Sequence, residues 1–195
     1  MRRAMVVFWA AAAMAVLPAV AAAATAGQPG FAASSAHDAK PFSATQRLER
    51  RFLQISASNM RFQAEGSRVA LARSNNPAVR ELATSLLERQ QTAQPELLRL
   101  LHVRGMAMPL ATSDHGKVLK QLGKLNGAKF DRLYVDEVMI KSFQADLTNY
   151  ERMAVEAEDP VLKRWVERQL PTLRFDFAKA GRALPNAGLK PQRAV

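Results

Sequence analysis

The chain of 195 residues contains no cysteine. Disulfides, thiolate nucleophiles and cysteine-held zinc or iron–sulfur centres are therefore excluded. Histidine is nearly as scarce: His37, His102 and His115 follow Ser34, Arg99 and Thr112 by three positions. No Glu-x-x-His pair of the kind used by di-iron carboxylate bundles is present. There is no Gly-x-Ser-x-Gly segment to mark an activated serine. Glycine and aromatic residues are sparse, and no stretch alternates at period two for long enough to make a strand. Acidic residues are also in deficit, 17 against 28 basic ones, for a formal charge of +11. Such an excess attracts polyanions. Aromatics are not interleaved with the basic residues as a base-stacking platform requires, so no specific nucleic-acid partner is expected.

The first 26 residues read as an address. Met1-Arg2-Arg3 is a short positive segment, and Ala4 to Ala24 carries no charge. Small-residue cleavage choices follow, such as Ala22-Ala23-Ala24 and Ala24-Thr25-Ala26. That order predicts a secretory signal peptide and a periplasmic destination. Retention as an uncleaved inner-membrane anchor is the alternative, since about 20 apolar residues span a bilayer. Removing Arg2 and Arg3 from the 28 basic residues leaves 26 against 17 acidic, a balance of +9. Residues 27–42 are rich in Gly, Pro, Ser and Ala without periodicity and are read as a flexible leader. Residues 186–195 form a basic tail.

Between them, residues 43–185 carry the hydrophobic periodicity of helices. Ser43 with Gln46 fits a capping box. Leu48, Phe52, Ile55, Asn59, Phe62, Gly66 and Val69 then recur at steps of four and three, the seam of an amphipathic helix. Ser74-Asn75-Asn76-Pro77 ends it and starts the next, with Asn76 as N-cap and Pro77 at the first helical position. The second helix presents Val79, Leu82, Leu86, Ala93, Leu97 and Leu100, with Pro95 predicting a kink near Gln91. A short helix over Asp114–Leu125 is expected before the break at Asn126-Gly127. A long helix is expected from Ala128 to Glu156, with Phe130, Leu133, Tyr134, Val138, Ile140, Leu147 and Tyr150 apolar. Asp159-Pro160 caps the last helix, which carries Leu162, Trp165, Val166, Leu170, Leu173, Phe177 and Ala180 and contains Pro171. Four long helices and one short connector predict an all-α, four-helix bundle.

Three stretches then stand out: Asn76-Pro77-Ala78-Val79-Arg80-Glu81-Leu82-Ala83, Leu125 to Val135 (LNGAKFDRLYV), and Leu170-Pro171-Thr172-Leu173-Arg174. With them the chain resembles the exported bacterial family called domain of unknown function 4142 over roughly residues 52–184. The resemblance implies a ferritin-like bundle and an exported location, but no reaction, since the family has no agreed activity. It also implies histidines in the second helix, in the helix after the Phe-Asp-x-x-Tyr stretch, and just after Leu-Pro-Thr-Leu-Arg. Those positions hold Gln90, Ser142 and Asp176 here, and a glutamate of the first helix falls near Gln63. Gln and Ser do not replace imidazole as transition-metal ligands.

Gln63, Gln90, Ser142 and Asp176 are therefore the candidate degenerate intra-bundle polar positions. They are read as boundary positions touching water, with a hydrogen-bonded interior network as the alternative. No catalytic, cofactor-binding or metal-binding residues are assigned. His102 is read as neutralising a helix C-terminus, and His115 as exposed. Arg47, Arg50 and Arg51, and Lys117, Lys120 and Lys124, have helical-face spacing and are read either as solvated faces or as surfaces for anionic envelope components such as lipid head groups or polysaccharide. The expected function is non-enzymatic binding or envelope maintenance. The alternatives are ferritin-like metal handling by carboxylates alone and a periplasmic holdase-like chaperone.

Overall fold

The computed structural model describes residues 41–185. The expected signal peptide, nearly all of the expected leader and the expected basic tail lie outside the described residues. Helix α1 spans Ala44–Arg73, α2 Pro77–His102, α3 Ser113–Leu122, α4 Gly127–Leu133, α5 Ser142–Glu156 and α6 Pro160–Arg182. A π-helical segment, Tyr134–Lys141, joins α4 to α5 without a break, so the three form one rod. No strand occurs among the described residues. No helix among them is long and apolar enough to cross a membrane.

The ends of the rods follow local chemistry. Ser43 and Gln46 form the reciprocal capping box. Asn76 Oδ1 accepts from Ala78 N–H ahead of Pro77, and Asp159 Oδ1 accepts from Val161 and Leu162 ahead of Pro160. Helix α2 continues through Pro95 and helix α6 through Pro171. Gly127 opens the third rod at φ +58°, a backbone state that glycine adopts without strain. The short helix ends at Leu122, three residues before the end its pattern suggested.

Cross-helix contacts fix the topology. Along the α1 face of the third rod, Glu49 meets Glu158 and Asp159, Asn59 meets Asp146, Gln63 meets Ser142, Ser67 meets Tyr134, and Ser74 meets Asp131. One number rises as the other falls, so α1 and the third rod are antiparallel. Between α2 and α6, Glu81 pairs with Lys179, Arg89 with Asp176, Glu96 with Arg168, and Arg104 with Asp159, again antiparallel. The rods run up, down, down, up. Residues 103–126, with α3 inside them, make the one long crossover, the connectivity of ferritin-like bundles. The apolar core lies between the rods and includes Phe52, Tyr150 and Trp165 in edge-on and tilted contact at centroid distances of 4.9 to 6.5 Å.

The π-helical segment departs from the plain α-helix expected over this stretch, and its cause is in the pattern. Buried pairs Phe130–Asp131, Tyr134–Val135, Val138–Met139 and Ser142–Phe143 recur every four residues. An α-helix turns about 100° per residue, so each step of four overshoots by about 40° and three steps by about 120°. A π-turn closes i→i+5 bonds and winds more slowly, which returns these pairs to one face. Leu133, Ile140 and Leu147, read as core from the sequence, are half-buried at its flanks.

The widened segment is accommodated by Gly66 of α1. A Cβ at Gly66 would lie 2.8 Å from Val138 Cγ1 and 3.1 Å from Cγ2. Gly→Ala inside a helix ordinarily stabilises by about 1 kcal/mol, whereas overpacking costs about 1–3 kcal/mol. Val138 is β-branched and stiff, so the steric term wins. Gly66→Ala is expected to lower unfolding stability by about 1–2 kcal/mol in urea melts, and adding Val138→Ala is expected to recover part of it. A Gly66→Ala protein as stable as the parent would contradict this packing.

Candidate functional site

A carboxyl group is buried where α5 meets the α1 seam. Asp146, one turn after Ser142 on α5, is 5% exposed. Its Oδ1 accepts from Asn59 Nδ2 at 2.6 Å and its Oδ2 from Gln63 Nε2 at 2.7 Å. Gln63 Nε2 also donates to Ser142 Oγ at 2.7 Å. The α1 spacing of four between Asn59 and Gln63 matches the α5 spacing of four between Ser142 and Asp146, which is why all four side chains meet.

A second polar group lies across the core. Arg89 Nε is 2.6 Å from Asp176 Oδ2, and its guanidinium sits 5.5 Å from the centroid of Phe143. Gln90 Nε2 donates to the Met60 carbonyl of α1 at 3.0 Å. Arg89 links the two groups electrostatically, since its charge favours ionisation of both Asp146 and Asp176.

The candidate positions thus separate into three contacts. Gln63 and Ser142 come together in the Asp146 cluster, Asp176 pairs with Arg89, and Gln90 caps a helix carbonyl. All four are buried, at most 9% exposed, Gln63 and Gln90 most deeply. Asn59, Asp146 and Arg89 complete the arrangement and carried no mark as site residues in the sequence. Asn59 stood in the apolar seam at a position that spacing alone marked as inward, the one legible signal.

Burial dominates the electrostatics. It raises the Asp146 carboxyl from 3.8 to about 6, against the opposing hydrogen bonds of Asn59 and Gln63 and the charge of Arg89. Burial also raises Asp176, with Arg89 and Lys179 acting against the shift. Asp146 faces amide N–H donors of Asn59 and Gln63 where a cation would need further oxygen ligands. Among the described residues no three His, Asp or Glu side chains converge to hold a metal ion. The cluster therefore does not fit the carboxylate-bridged metal that a ferritin-like fold suggests.

Asn59 and Ser142 also line the floor of a cleft of about 380 Å³, walled by Phe62, Asp114, His115 and Val118 on one side and by Glu137, Lys141 and Ala145 on the other. His115, expected to be exposed, is half-buried: it stacks on Phe62 at 4.3 Å with planes 8° apart, and its Nδ1 lies 3.4 Å from Ser58 Oγ. Burial lowers its pKa, with Asp114 opposing. Ser142 Oγ accepts its hydrogen bond from the Gln63 amide rather than meeting a base. The groups of the cleft can accept and donate hydrogen bonds to a small polar molecule.

These features define an all-α bundle with one crossover and a hydrogen-bonded polar centre. The chain belongs to the family described as Domain of unknown function (DUF4142), which matches residues 31–182. No curated protein and no solved structure matches the chain.

The raised Asp146 carboxyl sets a pH dependence. Between the ordinary value of 3.8 and about 6 the folded state binds the proton that the unfolded state releases. This group's contribution to stability therefore falls as pH rises from about 4 to about 6 and is flat above. Asp146→Asn removes that contribution. Urea melts from pH 4 to pH 8 are expected to show the difference between parent and variant changing in that window, in favour of the variant at higher pH. A difference independent of pH would contradict the buried carboxyl.

Proposed function

We propose that this is an exported helical-bundle protein of the periplasm that binds anionic envelope components without catalysing their turnover. One observation carries the reading. Among the described residues ten carboxylates each take a different Lys or Arg in an ion pair. The acids are largely consumed by cations, while Arg47, Arg50, Arg51, Arg99, Lys120, Lys124 and Arg164 have no carboxylate partner among the described residues. Lys117, grouped by spacing with Lys120 and Lys124, pairs instead with Asp114 at 3.0 Å. Isolated exposed pairs contribute little stability, so the surplus charge bears on what approaches the surface.

The leading segment supports export, and the surplus of cations supports a binding role. Envelope polymers and lipid head groups are the polyanions that an exported basic protein meets.

Protein recovered from the periplasmic fraction of an expressing cell is expected to have an intact mass lacking the first 24 to 26 residues. It is also expected to bind phosphatidylglycerol-containing vesicles at low salt and to leave them at high salt, since exposed charges are screened beyond about 10 Å at 0.1 M. Retention in the cytoplasm would overturn the export reading. Absence of binding at low salt would overturn the anion reading.

A further inference from the structure

We infer that the groove between the C-terminal part of α2 and the N-terminal half of α6 is a site for the head group and first methylenes of an anionic lipid. This rests on the reading that the chain binds anionic envelope components, and it names where. The groove, about 300 Å³, is rimmed by Arg99, Arg164 and Arg168 with Glu96 as its one acid, and Leu100, Val103, Val161 and Trp165 supply its apolar lining. That size is at the small end for ligand pockets and suits a head group with the start of a chain better than a polypeptide segment.

Three observations point to that occupant. First, Arg168 is tied to Glu96 across the groove at 3.3 Å, which leaves Arg99 and Arg164 without an acidic partner on the same rim. Two free guanidiniums facing one opening suit a phosphate, which accepts several N–H bonds at once. Second, Val103 and Val161 are 67% and 53% exposed beside those cations, so the charged rim adjoins apolar surface that water wets at a cost. A free inorganic anion would use the first feature and leave the second uncovered. Third, Trp165 is buried, and its indole N–H has no hydrogen-bond acceptor among the described residues. A buried donor left unpaired is costly, and this one belongs to a side chain that also lines the groove.

Trp9 and Trp165 are the two tryptophans of the chain. In full-length protein carrying Trp9→Phe, Trp165 is the sole indole, and its emission reports changes at the groove it lines. The probe is dihexanoyl phosphatidylglycerol below its micelle concentration, with dihexanoyl phosphatidylcholine and inorganic phosphate as comparison ligands. Saturable change in Trp165 emission is expected with the phosphatidylglycerol, and much weaker change with either comparison. Arg99→Gln/Arg164→Gln removes exposed, unpaired side chains and is expected to keep the helical circular dichroism while weakening binding about tenfold or more. Lys120→Gln/Lys124→Gln, which changes the same charge away from the groove, is expected to leave it unaltered.

Equal response to phosphatidylcholine, equal affinity for inorganic phosphate, or undiminished binding by the arginine variant would overturn the site. Vesicle binding that persists unchanged in the arginine variant would remove the groove while leaving the wider surface reading intact. Loss of all salt-dependent binding by the parent protein would remove both.

Discussion

Asp146 projects from α5 into the bundle and receives hydrogen bonds from Asn59 and Gln63 on α1. A buried carboxyl is costly unless its oxygens are engaged, so the register of α1 against the third rod that engages both is favoured. Sliding by one turn would leave only one of the two amides against Asp146, with Ser67 or Ile55 in the place of the other. The same seam then aligns Glu49 with the N–H groups of Glu158 and Asp159 at one end and Ser74 with Asp131 at the other. The α1–α2 and α5–α6 hairpins are each held by apolar surface. The contact between hairpins carries polar and ionic pairs on both sides, which is where apolar packing alone would least specify alignment.

The π-helical segment belongs to the same constraint. It carries Val138 against Gly66 and delivers Ser142 and Asp146 to the α1 face in phase with Phe130 and Tyr134. A regular α-helix through the same residues would rotate either the Phe130 end or the Asp146 end out of the interior. Gly66 is what lets the thicker turn sit close to α1. The consequence at the surface is the cleft whose floor is Asn59 and Ser142 and whose wall is α3, held to α1 by the stacking of His115 on Phe62.

Much of this was legible in the residues. Ser43 with Gln46, Asn76 with Pro77, and Asp159 with Pro160 announce helix starts through chemistry confined to four or five residues, and each is a cap in the fold. The α1 seam from Leu48 to Val69 is set by spacing alone. The Asp146 cluster was not legible, because it depends on which turn of α1 faces which turn of α5, a tertiary register with no local signature. The π-turn did leave a trace: Phe130, Tyr134, Val138, Ser142, Asp146 and Tyr150 are six buried residues at unbroken steps of four, where an α-helix interleaves steps of three. Reading only the apolar members hid it, since Ser142 and Asp146 are polar. Arg89 was hidden for a similar reason: a long basic side chain ordinarily reads as surface.

The interior and the surface divide the charged residues between two tasks. Arg89 and Asp176 are spent inside, and Arg104 with Asp159 ties the two hairpins at one end of the bundle. Cations left without acids lie outside, where they set what the protein attracts. The account depends on α1 meeting the third rod through Asn59 and Asp146. A double-mutant cycle of Asn59→Leu, Asp146→Leu and the pair, read by urea unfolding at pH 7, tests it most directly. The account predicts a coupling energy of at least about 1 kcal/mol, because losing one partner strands the other in the core. Additivity to within about 0.5 kcal/mol would show that the two side chains do not meet.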